Sequence, residues 1–549
     1  MEKDLLSKKI QNLIYKKYKI LETVEISIPK EDSFGDYSSN IILKLNSKYD
    51  IDKNELFEYL SKNLEHYKIE AVNFFLNIFI NDNSIIDYLK GNKPEIKKRS
   101  EKVLVEYSSP NIAKPFSVSH ATTTIIGDSI YRIYKYLKYE VTNDNHIGDW
   151  GVQFGKLIYA INNWGDYSII EKDPINELNK LYIKFHKEEE KNPELTIKAK
   201  ELYKKLSEND KAIISQWEKI IKWSMDNFNN VYDLLEIKFE NTLGESFYAN
   251  MAKQIINNAL EKKIATKENG AVVIYTDPNK KPLIIEKSDG TTLYSTHDLA
   301  TIEYRAQKLK ENIIIYEIGS DQKNIIEQMF KAAELLNLYD KNKTQLILIS
   351  HGIIKLSGGE KFSTRKGNII KLEEIIDESF KRAKGLLEER GIDNEDSVKK
   401  IAIGAIKFNI LKRHYSSDII FEWNKLLDFN GDTSVYIQYT YVRCNSIIQK
   451  STNLDSQKDI SISNEQEQNL ARLLYKFNDY VDSAKLSPNI LVDYLLTVCK
   501  RYNFIYSKYP ILKEKDQNIK YTRILLTKNV QETIKTGLNL LGINVVKKM

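Results

Sequence analysis

The stretch VEYSSPNIAKPFSVSHATTTIIG, Val105–Gly127, is the most informative part of the sequence, and its pattern predicts the fold. An apolar strand ends in the polar SSPN turn, a loop follows, and His120 stands at the start of a helix. At the carboxyl edge of a parallel sheet, a helix N-terminus presents free N–H groups, and phosphates bind best there. The alternative is an ordinary strand–turn–helix with a surface histidine, and this stretch alone leaves both open.

Outward from this stretch, the chain predicts an α/β fold with a doubly wound parallel sheet of the Rossmann type. VLVEYSS reads as a buried strand, IIGDSIYRIYKYLKY as a helix and YEVTNDN as a second strand, which together make a βαβ unit. Strand signals return at AVVIYT, PLIIEK, NIIIYEIG and QLILISHGI, and we assign these to the second half of the sheet.

Composition shifts divide the chain into three predicted domains. A small α/β domain occupies residues 1–92, and the charged, Pro-containing Gly91–Lys102 stretch is its linker. The nucleotide-binding domain covers 103–385, with a helical insertion over about 157–248, and residues 386–549 form a helical bundle.

A second informative stretch is GGEKFSTRKGN, Gly358–Asn368, which follows the QLILISHGIIKL strand and hairpin. Its three cations (Lys361, Arg365, Lys366) and its hydroxyls, Ser363 among them, suit a polyanion, because cations stabilise charge on a transferring phosphoryl or pyrophosphate group. The alternative is a solvated basic loop.

The overall composition excludes several classes of protein. The 549 residues carry 82 Lys and Arg against 76 acids, a net charge of +6, which is too small for a protein held to nucleic acid mainly by charge. Two cysteines, Cys444 and Cys499, are too few for a disulfide framework or an all-cysteine zinc site. The small number of cysteines leads us to expect no structural zinc. Because the sequence has neither a signal core nor an apolar window long enough for a membrane span, we expect a soluble, cytoplasmic protein.

Taken together and in order, the two stretches resemble the HIGH and KMSK motifs of the class I aminoacyl-tRNA synthetases. The resemblance extends over the chain to the arginyl-tRNA synthetase family. FGDYSSN resembles its N-terminal domain, and FEWNKLLDFNGDTSVYIQYTYVR, LLGI and the terminal Met549 resemble its anticodon-binding domain. The segments that resemble its catalytic domain are SSPNIAKPF, NHIGDWGVQFG, LGESFY, TLYSTHDLATIEYR and KFSTRKGN.

The resemblance implies two neighbouring sites in the catalytic domain. The residues of the arginine pocket would be Ser109, Asn111, His120, Asn145, Tyr294, Asp298 and Gln322. ATP would be bound by Pro110, Ser117, Ser119, His120, Lys361, Phe362 and Ser363. The catalytic residues would be Ser117, His120, Lys361, Ser363, Arg365 and Lys366. The chemistry agrees, because a guanidinium presents donors in a planar fork and Asp298 offers the matching carboxylate. For each single residue the alternative is a structural hydrogen bond.

The chain departs from the family pattern at the first motif. Ser117-Val118-Ser119-His120 replaces the first histidine and the glycine, and ATTT replaces the usual LRST. A Ser119 side chain could crowd an adenine ring that would lie on a glycine backbone. In KFST the last lysine is replaced by a threonine, and Arg365 and Lys366 could supply the charge.

For RNA contacts, the resemblance implies an anticodon site at Tyr436, Tyr439, Arg443 and Met549, with Tyr506 as a weaker candidate. Aromatic faces and arginines are what hold unstacked bases. The alternative is that these tyrosines, at helical spacing, belong to the core. The N-terminal domain would contact the tRNA elbow.

These features imply an arginine–tRNA ligase that uses ATP with Mg²⁺ and takes arginine and tRNA(Arg) as partners, with no membrane partner and a monomer as the default. Two alternatives stay open, the first of a different functional class and the second of the same fold. One is a catalytically silent tRNA-binding paralogue, suggested by SVSH and ATTT but opposed by the intact pocket set. The other is a synthetase for a different amino acid, opposed by Asp298, because only a cationic substrate compensates a carboxylate buried there.

Overall fold

The structure, a computed structural model, describes residues 1–356, 372–422, 426–429, 431–451 and 459–549. The second predicted motif, with Lys361, Phe362, Ser363, Arg365 and Lys366, therefore lies outside the described residues. Among the residues described, no helix is both long and apolar enough to cross a bilayer.

The N-terminal domain packs helices on one small antiparallel sheet. Leu6, Ile10 and Ile14 recur every four residues and bury one face of the first helix, whose ends carry acidic and basic residues in the order that favours the helix dipole. The helices are α1 (Glu2–Tyr18), α2 (Ile41–Tyr49), α3 (Lys53–Asn63) and α4 (Asp82–Leu89). The strands, in the order β1-β3-β2, are β1 (Tyr37–Ser39), β2 (Tyr67–Val72) and β3 (Phe75–Ile80).

The central domain is built on a parallel sheet whose strands lie in the order β10-β9-β4-β5. Its strands are β4 (Lys102–Glu106), β5 (Glu140–Asp144), β9 (Ile313–Gly319) and β10 (Gln345–His351). The helix α5 (Val118–Tyr136) connects β4 to β5, and the chain later returns on the other side of β4. The strand order therefore reverses between β4 and β9, and ligands bind at the carboxyl ends of strands at such a point.

The predicted doubly wound sheet is correct in kind but wrong in two strands. AVVIYT and PLIIEK do not join the parallel sheet; they form a separate antiparallel meander of β6 (Ala265–Glu268), β7 (Ala271–Ile274) and β8 (Leu283–Glu286). The loop between β7 and β8 is too short for the crossover helix that parallel neighbours require, so an antiparallel pairing is the only one within its reach.

The predicted hairpin after QLILISHGI is also wrong. The strand β11 (Ile354–Leu356) pairs in parallel with β12 (Ile419–Phe421) instead of folding back on β10.

Helices fill the remainder of the central domain. Those between β5 and β6 are α6 (Val152–Trp164), α7 (Tyr167–Ile170), α8 (Pro174–Lys191), α9 (Glu194–Ser207), α10 (Lys211–Leu235) and α11 (Glu245–Glu261). The later two are α12 (Tyr294–Glu303), continued by a π-helical turn at Tyr304–Lys308, and α13 (Lys323–Leu335). Gly127 is needed in α5 because a Cβ there would lie 2.2 Å from the Tyr107 ring, so the helix could not approach the end of β4.

The C-terminal region is a helical bundle. Its helices are α14 (Leu372–Glu388), α15 (Glu395–Leu411), α16 (Ser434–Lys450), α17 (Glu465–Tyr475), α18 (Phe477–Ser483), α19 (Asn489–Lys508) and α20 (Gln517–Leu540). Its free cysteines, Cys444 and Cys499, are both buried.

A buried ionic cluster joins the N-terminal domain to this bundle. Asp36 accepts from Arg472 at 2.6 Å and lies 3.2 Å from the Lys476 ammonium. Next to it, the Tyr37 hydroxyl donates to Asp479 at 2.7 Å. We call these five residues the clasp. Asp36 and Tyr37 come from the FGDYSSN segment, so this part of the motif faces the bundle and not the solvent.

Candidate active site

The N-terminus of α5 has the geometry that the first motif predicts. Ser117 caps the helix: its Oγ accepts from the His120 N–H, and the Ser117 N–H donates to His120 Nδ1, both at 3.2 Å. Burial, with a smaller contribution from Lys114, lowers the pKa of His120 to about 4. The imidazole is therefore neutral near pH 7 with its proton on Nε2, and it can donate one uncharged hydrogen bond. Ser119 is exposed on the first turn.

The turn between β4 and α5 carries backbone strain. Ser108, Ser109 and Ala113 all adopt positive φ angles, of 74°, 45° and 60°. Hydrogen bonds hold this conformation: the Ser108 Oγ lies 2.7 Å from the Tyr232 hydroxyl, and the Ser109 N–H donates to Asn145 Oδ1 at 3.1 Å. The Ser109 Oγ is buried and has no hydrogen-bond partner among the described residues, which leaves it for a ligand.

A cavity of about 810 Å³ opens at the carboxyl edge of the sheet. Of the residues predicted for the arginine pocket, the structure brings five together on its walls: Ser109, Asn111, Tyr294, Asp298 and Gln322. The remaining predicted residues of the described chain, Pro110, Asn145, Ser117, Ser119 and His120, are not on these walls.

Asn145 differs in position from the expectation. It is fully buried behind the strained turn, where its Oδ1 accepts from Ser109 and its Nδ2 donates to the Tyr232 hydroxyl at 3.1 Å. In this structure it supports the turn, and an arginine contact by Asn145 remains a prediction.

Sequence reasoning missed several ionisable residues of the cavity wall, among them Glu106, His146 and Glu245. Burial raises the pKa of Glu245 to about 8; His146 opposes this shift, and Asp298 and Asp149 add to it. The imidazole Nε2 of His146 lies 3.4 Å from Asp298 Oδ1, an ion-pair distance. Glu245 stands in the quoted segment LGESFY and His146 in NHIGDWG. The available signals were a carboxylate after a glycine and a histidine after a strand.

Beneath the wall, Arg305 joins the ends of two parallel strands. It is fully buried in the π-helical turn, donates to Glu106 of β4, and donates to Asp144 of β5 at 2.7 Å. Its guanidinium lies 5.4 Å from the centroid of the Tyr316 ring on β9. One cation thus sets the positions of three neighbouring strands, and the extra residue of a π turn is a common device at functional sites.

On the bundle, arginine and aromatic planes alternate over a continuous surface. The Arg443 guanidinium lies 5.0 Å from the Tyr439 ring and 4.6 Å from the Tyr506 ring. Arg390, which the sequence did not indicate, extends the series between Tyr439, at 5.5 Å, and Phe429, at 3.7 Å. This arrangement suits the stacking of unpaired bases.

The other two predicted anticodon residues lie beside this surface. The Tyr436 hydroxyl accepts from Asn503 Nδ2 at 3.0 Å, and Met549 packs on the adjoining cluster around Leu387 and Val546.

A groove of about 420 Å³ marks the N-terminal domain. Phe34 and Phe75 are exposed along it by 46% and 49%, which is high for phenylalanine; the exposed Asn73 and the buried Asn77 also line the groove. An aromatic surface with amide groups fits a nucleobase.

The chain matches family models over most of its length. Residues 85–423 match the model described as "tRNA synthetases class I (R), catalytic domain", which agrees with the parallel sheet and the capped helix of the site. Residues 3–81 match "Arginyl tRNA synthetase N terminal domain", and residues 437–549 match "DALR anticodon binding domain". The fold and site therefore define a class I aminoacyl-tRNA synthetase.

Relatives that match over nearly their full length identify the family within this class. The chain is 38% identical to the arginine–tRNA ligase of Clostridium botulinum (strain Alaska E43), over 95% of this chain and 96% of that one. It is 37% identical to the arginine–tRNA ligase of Fusobacterium nucleatum, over 100% and 98%. The chain belongs to the arginyl-tRNA synthetase family.

Solved structures show the same architecture. The arginyl-tRNA synthetase of Plasmodium falciparum is similar with a TM-score of 0.84 and 28% identity, over 100% of this chain and 99% of that one. The Thermus thermophilus arginyl-tRNA synthetase shares the fold, with a TM-score of 0.84 at 21% identity over the whole of both chains.

Proposed function

We propose that this chain is an arginine–tRNA ligase, which activates arginine with ATP and transfers it to the 3′ end of tRNA(Arg). The observation that carries the proposal is the set of acceptors on one cavity wall. The Asp298 carboxylate, the Glu245 carboxyl and the Tyr294 hydroxyl line the same cavity, and a planar guanidinium fork would need acceptors of this kind. Family membership and similar chains named arginine–tRNA ligase support it.

In the first step, an arginine carboxylate oxygen attacks the α-phosphorus of ATP, the bond to the β-phosphate oxygen breaks, and pyrophosphate leaves. The neutral His120 and the capped N-terminus of α5 would donate hydrogen bonds to the phosphates. Mg²⁺, held mainly by the nucleotide phosphates, would neutralise charge on them. Lys361, Ser363, Arg365 and Lys366 would act on the leaving pyrophosphate.

In the second step, a hydroxyl of the terminal tRNA ribose attacks the arginyl carbonyl carbon and AMP leaves. The chemistry requires little beyond positioning and charge stabilisation. The Arg443–Tyr439–Arg390 surface, with Met549 beside it, would hold the anticodon, and the Phe34–Phe75 groove would contact the tRNA elbow. We further propose a cytoplasmic protein that acts as a monomer, with domains over 1–92, 103–385 and 386–549.

The test is aminoacylation of total tRNA with each labelled amino acid, ATP and Mg²⁺. Charging with arginine alone is expected. Binding of tRNA without charging would instead support the catalytically silent paralogue, and would direct attention to Ser117, Ser119 and Thr122. Charging with another amino acid would remove Asp298 from the specificity pocket.

A further inference from the structure

His146 is a wall residue whose two ring nitrogens have different partners. The Nδ1 atom lies 2.9 Å from the Leu243 carbonyl oxygen, which can only accept, so Nδ1 carries a proton. The Nε2 atom therefore remains to face Asp298 Oδ1, at 3.4 Å. Only 7% of the His146 side chain is exposed, and its ring packs against Tyr248 with 5.5 Å between ring centroids. The second nitrogen therefore lies beside the carboxylate assigned to the substrate, within ion-pair distance but without a hydrogen bond among the described residues.

The charges around this imidazole are mixed. The ionisable groups that face it are Asp298 and His297 on α12, Glu106 on β4, Arg305 on the π turn, Glu245 on α11 and Asp149 on its own loop. Burial by itself lowers the pKa of His146, but the Asp298 contact and the charge of Glu106 outweigh burial and raise it to about 9. Near pH 7 the ring is therefore an imidazolium when no substrate is present.

In the empty pocket, Asp298 thus already has a cationic partner. A guanidinium that approaches the same carboxylate brings a second positive charge close to the first. Arginine does not lose its proton in proteins, whereas an imidazolium readily does. The repulsion between the two positive charges is removed when the imidazole gives up its proton.

We propose that His146 is a resident counter-ion of Asp298 that the substrate guanidinium displaces, so that arginine binding transfers one proton from the imidazole Nε2 to the buffer. The proposal rests on the assignment of Asp298 to the arginine pocket. It makes His146 a specificity-determining residue, since a neutral isostere such as citrulline cannot displace the imidazolium and so finds Asp298 already paired.

The direction of the pH dependence follows. The imidazole holds its proton up to about pH 9 in the empty pocket, and the bound guanidinium lowers that pKa. Arginine affinity therefore rises with pH between about 7 and 9, at most roughly tenfold per pH unit for one proton, and levels off above pH 9. Glu245, with its pKa near 8 in the empty pocket, also loses a proton when a cation arrives, so its share must be separated experimentally.

The experiment is isothermal titration of the full-length protein with arginine, in buffers of different ionisation enthalpy, which counts the protons released on binding. The wild type, His146→Gln, Glu245→Gln and His186→Gln are compared between pH 7 and pH 9. His186 is the matched control, because it lies 3.2 Å from Glu189 on the surface and is 43% exposed. The α-amino group of arginine titrates alike in every variant, so differences between variants isolate the protein groups.

We expect the wild type and His186→Gln to release a proton that His146→Gln does not release. We also expect His146→Gln to bind arginine no more weakly than the wild type at pH 7, because a competitor has been removed, and to discriminate less against citrulline. A purely structural role for His146 would instead weaken binding at every pH.

Three outcomes would overturn the proposal. They are the absence of proton release from the wild type, equal release from His146→Gln, and loss of the release only in Glu245→Gln. If His146→Gln fails to fold, Glu245→Gln decides in its place: a proton still released by that variant cannot come from Glu245, and loss of the release there would overturn the proposal. Asp298→Asn separates the two levels: normal arginine binding by that variant would refute the pocket assignment, whereas lost binding without wild-type proton release would refute the counter-ion alone.

Discussion

The cavity at the carboxyl edge of the sheet and the clasp both contain buried ionisable groups, but their charges are arranged differently. In the clasp, the Asp36 carboxylate lies between Arg472 and Lys476 and also accepts from the Ile80 N–H at 2.9 Å. In the cavity, Asp298 has one ion-pair partner among the described residues, at the longer distance of 3.4 Å, and it lines the open space of the cavity. A buried charge with several close partners holds domains together, whereas a carboxylate left with one distant partner remains available to a ligand.

The Arg305 cluster lies between these cases. It is closed like the clasp, yet Glu106 also reaches the cavity wall. The paired charges of this cluster therefore fix the strand ends that position the ionisable groups of the cavity.

The largest effect on activity is expected in the cavity, at Asp298. Asp298→Asn should lower kcat/KM for arginine activation about a thousandfold, since the guanidinium loses its charged partner at nearly unchanged shape. Arginine-dependent ATP–pyrophosphate exchange with tRNA present measures this loss. The melting temperature should hardly change, because His146 can release its proton when its partner is lost.

Asp396→Asn is the matched control, because that carboxylate is 68% exposed and forms a surface ion pair across one helical turn with Lys400. Near-normal arginine KM in Asp298→Asn would place the guanidinium elsewhere.

Removal of the Arg305 guanidinium, which pairs with two buried carboxylates, should destabilise the fold. Arg305→Met leaves Glu106 and Asp144 without their shared cation, at a cost of about 3–5 kcal/mol. Thermal unfolding followed by circular dichroism measures it. Arg305→Lys should recover only part of the loss, since an ammonium cannot bridge two carboxylates as a guanidinium does; full recovery would show that charge alone matters here.

A smaller effect is expected at the clasp. Asp36→Asn should cost about 2–3 kcal/mol, at or below the low end for a broken buried pair, because Arg472 keeps Asp82 and the Ile80 carbonyl. Looser docking of the N-terminal domain should raise the KM for tRNA severalfold and leave the KM for arginine unchanged. Asp82→Asn, at a carboxylate that is 64% exposed, should do much less. Equal effects of the two substitutions would mean that burial of Asp36 adds nothing.

The smallest effect concerns the departure at the first motif. Ser119 is exposed on the first turn of α5, so Ser119→Gly should leave kcat/KM within about threefold of the wild type, or raise it by relieving contact with the adenine. Steady-state kinetics with varied ATP measure this. A loss beyond about tenfold would show that Ser119 has a role of its own.

Features that depend on neighbours along the chain were predictable. The alternation of strand and helix around Val105–Gly127 determines the βαβ unit, and the Ser117–His120 spacing determines the capped helix at the site. Motif order over the whole chain indicated the family. Tyr294, Asp298 and Gln322 were placed in one pocket through the resemblance, and the structure brings them to one cavity wall.

Features that depend on distant pairing were not predictable. Short apolar runs such as PLIIEK look alike whether they enter the parallel sheet or an antiparallel meander, and this is why two strands were misassigned. The hydrogen-bond partners Leu243 of His146, Asp144 of Arg305 and Arg472 of Asp36 lie 97, 161 and 436 residues away along the chain. No local pattern encodes such contacts.

The sequence by itself thus determined the kind of fold, the capped helix and the family. Only the tertiary structure decided which buried charges are closed and which are open, because the pKa and the pairing of a carboxylate depend on groups that folding brings within a few ångströms. The proposed role of His146 rests on that second kind of information, in its distance from Asp298.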